Sequence, residues 1–229
     1  MANAGITPIF RCPHNVGSKK PMAVGEMLRN QSRPRRTQAE RSAESRRKLV
    51  QAAIDCICDH GFVESTVARI SMRAGLTRGA VQHHFGTREE LLLAVLDDFG
   101  SQMVRMAAQP SVRGLPLEER IQILFRRNAE IFRSRHFIAN IQIWLNMKDP
   151  AIEKTRQGMM LAFERDLDDR WREDFAETGL SPERIVVLRR IANSALRGLA
   201  VRALYLNDHN DWVEEIAILE DMLLRHLKG

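Results

Sequence analysis

The chain has 229 residues, 44% of them hydrophobic and 28% charged, and its formal net charge is +6 at pH 7. The longest apolar run, residues 91–96, is far too short to span a bilayer, and no apolar segment near the N-terminus is typical of a secretory signal. Three cysteines provide no even disulfide framework. These features exclude a membrane-spanning or disulfide-stapled protein, so we expect a cytoplasmic chain that has no membrane partner and a core large enough to fold unaided.

Basic residues are concentrated at the N-terminal end. Residues 1–48 contain 11 Lys and Arg against 3 Asp and Glu, whereas residues 49–100 contain 4 against 7. A basic arm before a nearly neutral body suits nucleic acid or an acidic membrane surface, although a solvated tail gives the same pattern. Residues 1–38 mix Pro, Gly, Asn, Ser and Arg without periodicity, which predicts a disordered basic arm.

The first predicted helix covers residues 39–60. Its sequence, AERSAESRRKLVQAAIDCICDH, places Leu49, Ala53 and Ile57 on one apolar face. Gly61 follows directly, and glycine after the last periodic residue is a common C-terminal stop. The pattern therefore indicates an amphipathic helix that buries one face.

Three threonine caps then follow within 22 positions. Thr66 precedes VARISMRA, Thr77 precedes RGAVQHHF, and Thr87 with Glu90 has the spacing of a capping box that opens a further helix. This spacing leaves about two turns for each short helix, with a glycine-containing turn between them. We therefore predict a helix-turn-helix domain at residues 39–100.

The second short helix is predicted to present a polar face. When its apolar residues point inward, four others must point outward, namely Arg78, Gly79, Gln82 and His83. A face without carboxylates fits the DNA major groove, where Arg grips guanine and Gln grips adenine with about 1–3 kcal/mol of discrimination for each pair. Phosphates would be held by exposed amides at the helix starts and by four side chains, those of Arg46, Arg47, Thr66 and Arg88.

Three other functions compete for the same residues: a metal site, an enzyme and a protein-binding adaptor. Neighbouring residues on a helix diverge by about 100°, so His83 and His84 cannot both face one ion, and we expect neither a metal nor a cofactor. The sequence contains no G-x-S-x-G, Gly-rich phosphate loop or H-E-x-x-H motif, so we expect no enzyme. A helical adaptor that binds another protein is the open alternative, and it would need an apolar outer stripe on the short helices.

The stretch from about Arg46 to Val95 resembles the tetracycline repressor (TetR) family of bacterial transcription regulators. The segments DHGF, TVARISMRAGLTRGAVQHHF and GTREELLLAVLDDF carry the resemblance. They depart from the family pattern at Ser71, Gln82 and Arg88, where Ala, Tyr and Lys are usual, and Arg88 is expected to keep the phosphate contact of that lysine. The resemblance implies an all-α repressor that a small-molecule inducer releases from a double-stranded DNA operator. It adds two residues to the predicted DNA-binding set, Thr77 and His84.

The pattern after residue 100 is helical to the end, without a strand signature. The resemblance implies that residues 101–229 form an all-helical ligand-binding and dimerisation domain, and that the last two helices pair with their copies in a homodimer. Periodicity alone also fits an intramolecular core. The predicted dimer-interface residues are Leu188, Ala192, Ala195, Leu199, Ile216, Leu219 and Leu223.

The resemblance also implies an inducer pocket within residues 101–176. Pockets combine apolar walls with a few polar groups. On that basis the candidate lining residues are Met103, Phe132, Asn140, Trp144, Met147, Phe163 and Trp171. No cluster of acids or bases stands out in this region, so we expect a mostly apolar inducer.

Overall fold

In a computed structural model of the protein, the structure describes residues 37–148, 150–206 and 212–228. This part of the chain contains α-helices and one short 3-10 helix at Ala176–Thr178 but no strand, which confirms the predicted all-α fold. None of the described helices is long and apolar enough to cross a membrane. The arm predicted to be disordered lies outside the described residues, except for its last two positions.

Nine α-helices are present among the described residues. They are α1 (Gln38–Glu64), α2 (Val67–Arg73), α3 (Arg78–Phe85), α4 (Arg88–Ala107), α5 (Leu117–Phe132), α6 (Arg135–Asn146), α7 (Pro150–Asp174), α8 (Pro182–Leu206) and α9 (Val213–Lys228). Helix α4 packs against α6, α5 against α9, and α7 against α8. Two of these three pairs therefore join helices that are not consecutive in the chain.

The helix starts follow the predicted caps, with one exception. The Thr66 hydroxyl accepts a hydrogen bond from the backbone amide of Arg69 at 3.3 Å, and Thr87 forms a complete capping box with Glu90. Both predictions are confirmed. Thr77 lies at the N-cap of α3, but its side chain makes no capping hydrogen bond. The Thr77 hydroxyl is therefore not committed to the cap of its own helix.

Gly61 interrupts α1 at the position where the sequence predicts the end of the helix. At Gly61 the backbone has a φ of 82°, outside the helical region, although the helical hydrogen-bond pattern resumes up to Glu64. A left-handed φ strains any residue with a Cβ, so glycine is favoured here. The resulting kink redirects the chain toward α2.

The helices pack around two hydrophobic cores. The first surrounds α1, where Leu49, Ala53 and Ile57 are fully buried as predicted, and α6 contributes Ala139 and Ile143 to it. The second core is formed by α4 to α9, with contributions from the connections between them. Because α6 packs into both cores, it links the helix-turn-helix to the body of the protein.

The predicted domain boundary at residue 100 falls inside α4 rather than in a loop. The N-terminal half of α4 buries Leu91 and Val95 in the first core, and its C-terminal half buries Phe99 and Met103 in the second. A continuous helix of 20 residues thus spans the two cores. Helix α4 therefore belongs to both cores.

Candidate nucleic-acid interface

Helix α3 presents the polar face that the sequence predicts. Val81 and Phe85 are buried in the first core, and this orients the helix. The four residues predicted to point outward are all exposed, namely Arg78, Gly79, Gln82 and His83. This outer face has no apolar stripe, which the adaptor alternative required. It offers hydrogen-bond donors and a positive charge, and no carboxylate.

Four further predicted residues lie on the helices next to this face. Thr66 and Thr77 are exposed at the starts of α2 and α3. Arg46 and Arg47 are exposed on α1, and the guanidinium carbon of Arg46 lies 4.9 Å from the centre of the Phe85 ring. Because Phe85 belongs to α3, this contact brings Arg46 beside that helix.

Arg88 has a structural role that the sequence pattern did not predict. Its Nη2 donates to the Phe62 carbonyl at 2.7 Å, and its Nε donates to the Ser65 carbonyl at 3.1 Å. The guanidinium also stacks over the Phe62 ring at 4.6 Å. Arg88 therefore satisfies carbonyl oxygens at the end of α1 and ties them to the start of α4. A phosphate contact by Arg88 stays a prediction.

His84 is half-buried beside His83, with 5.0 Å between the ring centres. Burial lowers the pKa of His84 below its ordinary value of 6.5, and the neighbouring His83 and Arg46 lower it further. At neutral pH the imidazole is therefore uncharged, and it can contact a phosphate only through a neutral N–H donor. Among the described residues, no three His, Cys, Asp or Glu side chains are grouped so that they could hold a metal ion.

An ionic cluster connects the helix-turn-helix to α6, and the sequence pattern gave no sign of it. Arg135, at the start of α6, donates to Asp55 Oδ1 at 2.9 Å and to Asp59 Oδ1 at 2.6 Å, both on α1. The other oxygen of Asp59 pairs with Arg73 of α2 at 2.5 Å. We call the four residues Asp55, Asp59, Arg73 and Arg135 the joint. Asp59 bridges two arginines from different helices, so α6 and α2 are coupled through one carboxylate.

The seven predicted ligand residues do not form one pocket. Met103, Phe132 and Trp171 are buried in the second core, and Phe163 packs against it. Met147 packs against the first core instead, Asn140 is half-buried, and Trp144 is 52% exposed. Of the seven, Trp171 lines the cleft that forms between α4, α5, α7 and α8, and the other six do not.

The predicted dimer-interface residues divide into two groups by their burial within their own chain. Leu188, Ala192 and Leu223 are buried in the second core of their own chain. The other four predicted residues, Ala195, Leu199, Ile216 and Leu219, are half-buried. The exposed apolar side chains of α8 and α9 lie on another face and include Val187, Ile191, Tyr205, Ile218 and Met222. Both helices carry apolar residues on more than one face, so periodicity alone could not distinguish the inner face from the outer one.

The short capped helices α2 and α3, set on α1 in a helical scaffold, define a helix-turn-helix DNA-binding regulator. The family model described as "Bacterial regulatory proteins, tetR family" matches residues 49–95. The chain is 32% identical over 178 residues to the HTH-type transcriptional regulator CymR of Pseudomonas putida, an alignment that covers 76% of this chain and 86% of that protein. The chain belongs to the tetR family, and it is a DNA-binding transcriptional regulator rather than an enzyme.

Two other similarities have different extents. The HTH-type transcriptional repressor AcnR of Corynebacterium efficiens is 36% identical over 76 residues, which is 33% of this chain and 39% of that protein. The crystal structure of the transcriptional regulator FadR from Bacillus subtilis in complex with stearoyl-CoA superposes with a TM-score of 0.57 at 15% identity, covering 80% of this chain and 97% of that one. At that identity the likeness to FadR shows the fold alone.

Proposed function

We propose that the protein represses transcription as a homodimer on a pseudo-palindromic operator and leaves the operator when a small-molecule inducer binds. The observation that carries this proposal is the exposed, carboxylate-free face of α3. In the proposal, residues 39–100 read the operator, and residues 101–229 bind the inducer and the second copy. Such a regulator acts on chromosomal DNA, so we expect it in the cytoplasm.

Arg78 and Gln82 are the proposed base-reading residues. They are one helical turn apart on the exposed face of α3, so both reach the same groove. A guanidinium can donate twice to guanine, and a carboxamide can bond adenine through one donor and one acceptor. Phosphate contacts are proposed for the residues around that face, namely Arg46, Arg47, Thr66, Thr77, His83, His84 and Arg88, with the Gly79 backbone close to the DNA.

The proposed dimer interface is the exposed apolar face of α8 and α9. On α8, Val187, Ile191 and Tyr205 are exposed, and on α9, Ile218 and Met222 are exposed. An exposed apolar face on two neighbouring helices is favourably covered by the same face of a second copy, because a two-fold interface is self-complementary. Two copies then present two recognition helices to two half-sites.

Release by an inducer requires that the ligand distinguish the DNA-competent state from another state. The joint and α6 offer a route for this coupling. Ala139 and Ile143 of α6 are buried in the first core, and Arg135 binds the same helix α1 through Asp55 and Asp59. A shift of α6 would therefore move α1 and, through Asp59, α2. Couplings of this kind are typically about 1–3 kcal/mol.

Selection of binding sites from random DNA with the purified chain, followed by footprinting, tests the proposal. We expect a two-fold symmetric site that is protected by a dimer, with half-sites about one helical turn apart. A monomer that protects one isolated half-site would contradict the dimer. Equal binding to competitor DNA at physiological salt would contradict operator recognition itself.

A further inference from the structure

The N-terminal half of α1 carries exposed cations that lie next to α3. Arg41, Arg46 and Arg47 are all exposed there, and none of the three forms an ion pair with another residue that the structure describes. The guanidinium carbon of Arg46 lies 4.9 Å from the centre of the Phe85 ring of α3. These cations therefore lie between the polar face of α3 and the beginning of α1 at Gln38.

The sequence directly before α1 carries more positive charge than α1 itself. Residues 29–36 read RNQSRPRR, with four arginines and no Asp or Glu, so their charge is +4. Residues 37–48 contain four Lys and Arg against two Glu, which leaves a net charge of +2. We call residues 29–36 the arginine segment; they precede the described part of the chain. The positive charge is thus concentrated in front of the helix that lies beside α3.

The arginine segment is near enough in the chain to reach DNA that α3 contacts. Arg46 comes eight residues after Gln38, so about 12 Å of helix separate the start of α1 from the contact with α3. Each residue before Gln38 adds at most about 3.5 Å, which gives Arg36 a reach of about 7 Å and Arg33 about 17 Å. The minor groove beside an occupied major groove is half a helical turn away, roughly 17 Å. The segment can therefore enter that groove while α3 stays in the major groove.

The residue types in the segment suit a minor groove. A guanidinium is more weakly hydrated than an ammonium group, so arginine leaves water more readily than lysine. A·T-rich DNA has a narrow minor groove, and its strong negative potential attracts inserted arginines. The segment contains arginine and no lysine, whereas Lys19 and Lys20 lie further from α1 in the sequence. This composition fits insertion into a groove as well as contact with phosphates.

We propose that the arginine segment binds the DNA minor groove beside each half-site and favours A·T base pairs there. The proposal rests on the operator binding proposed above and adds a second reading element to α3. This element recognises the shape of the groove, whereas α3 recognises base edges. Operator specificity then extends beyond the base pairs that α3 contacts. A solvated tail of the same composition would leave DNA affinity unchanged, so the two roles have different consequences.

Operators that differ only in their flanks test the preference for A·T pairs. Each duplex carries the site selected from random DNA, with about six A·T or G·C pairs, roughly half a helical turn, next to each half-site. We expect the full chain to bind the A·T-flanked duplex about tenfold more tightly in fluorescence anisotropy titrations at physiological salt. Equal affinity for the two duplexes overturns the proposal and leaves operator recognition by α3 intact. Failure to select any site from random DNA would instead contradict the proposed function.

A triple glutamine variant of the full chain identifies the residues responsible. Arg33→Gln, Arg35→Gln and Arg36→Gln together remove three positive charges from the arginine segment. This variant should bind the A·T-flanked duplex about 10- to 100-fold more weakly and should lose the preference for A·T flanks. The slope of log affinity against log salt should flatten by up to about 2.7, since each lost phosphate contact contributes about 0.9. Unchanged affinity and flank preference overturn the proposal.

The matched control removes the same charge at positions further from α1. Arg11→Gln, Lys19→Gln and Lys20→Gln also replace three cations of the N-terminal region. We expect this variant to keep the affinity and the flank preference of the unsubstituted chain. Equal losses in the two triple variants would indicate a general charge effect and overturn the proposal. Thermal unfolding checks that both variants are folded.

A lysine variant separates groove binding from phosphate binding. Arg33→Lys, Arg35→Lys and Arg36→Lys together retain the charge, so the salt slope should be retained. The preference for A·T flanks should fall at least about threefold, because the ammonium group is more strongly hydrated and enters a narrow groove less readily. If the lysine variant keeps the full preference, the segment contacts phosphates only and groove reading is wrong.

Discussion

Arginines are used in opposite ways in the two regions of the molecule. On the α3 side, Arg78 is exposed and has no ion-pair partner among the described residues. In the C-terminal body, Arg189 is fully buried and pairs with Asp168 at 2.5 Å and with Glu164 at 2.6 Å. An unpaired guanidinium on the surface can bind a polyanion. A guanidinium that is paired inside the protein can contribute only to the packing of the fold.

The buried arginine belongs to a larger network. Arg190 pairs with the second oxygen of Asp168 at 2.6 Å, and Arg197 pairs with Glu164 at 2.8 Å. Taking these charges out of water costs about as much as their attraction returns, so the network contributes mainly by fixing how α7 sits on α8. Loss of one member is different, because it leaves a buried charge without compensation.

The largest effect is therefore expected from Asp168→Asn. Both oxygens of Asp168 bind arginine, and the substitution removes one of the two carboxylates that compensate the buried Arg189. We expect the free energy of unfolding to fall by about 3–5 kcal/mol, as measured by urea denaturation. Asp169→Asn, at the exposed neighbouring position, should change it by less than about 0.5 kcal/mol. Similar losses of unfolding free energy in the two variants would show that a buried ion pair of this network stabilises the protein no more than an exposed one.

Arg88 is an intermediate case between Arg78 and Arg189. It lies on the DNA-binding side, but its guanidinium already donates hydrogen bonds within the protein. Arg88→Ala removes two charged hydrogen bonds to carbonyls and should cost about 1.5–3 kcal/mol of stability. If Arg88 also touches a phosphate, the slope of log affinity against log salt should flatten by about one contact. A stability loss with an unchanged slope would assign Arg88 to the fold alone.

Arg78→Ala should have the reverse signature. The side chain is exposed and has no ion-pair partner in the part of the chain that the structure describes, so stability should change by less than about 0.5 kcal/mol. Discrimination at one base pair of the operator should fall by about 1–3 kcal/mol, as measured with operators altered at single positions. Weakening that is equal at all positions would instead indicate a phosphate contact.

The sequence predicts local features of this molecule better than contacts between residues that are far apart in the chain. Helices α1 to α4 follow from periodicity and from caps such as Thr66 and Thr87, because those signals involve residues that are close in the chain. Arg88 could not be interpreted fully, since its carbonyl partners at Phe62 and Ser65 are 26 and 23 positions away. Such a contact depends on tertiary packing, which one sequence does not reveal.

Tertiary packing also decides which residues of the body lie together, and this is not visible in one sequence. Helix α8 is apolar on several faces, so the burial of Leu188 in its own core could not be distinguished from burial in a dimer. The cleft was missed because Arg127, Asp174 and Asn193 come from three helices that are distant in sequence. Each of them is an ordinary polar residue of a helix in the sequence, and only the tertiary structure brings the three together.

The joint lies between the two regions, and its arginines are neither free nor fully buried. A hydrogen bond from Arg135 is the largest cause that lowers the pKa of Asp59 below its ordinary value of 3.8; burial opposes this shift, and Arg73 adds to it. Because the folded state binds the proton less readily than the unfolded state, the carboxylate stabilises the fold above the ordinary pKa. That contribution is lost as the pH falls below about 4.

The smallest of the predicted main effects is at the joint, where Arg135→Gln should lower the free energy of unfolding only slightly. The pH dependence of this loss shows whether Asp59 is the partner of Arg135. Arg135→Gln should lower the free energy of unfolding by no more than about 1 kcal/mol near pH 7, because half-exposed ion pairs are screened by water. The difference in the free energy of unfolding between the unsubstituted protein and Arg135→Gln should stay constant from about pH 7 to 5. It should narrow as Asp59 is protonated below about pH 4. In an Asp59→Asn background the same substitution should show a smaller gap with weaker pH dependence, since Asp55 is then the remaining partner of Arg135. A gap that is as wide at pH 3 as at pH 7, in urea titrations of all four proteins, would show that the Asp59 carboxylate does not hold α6 to α1.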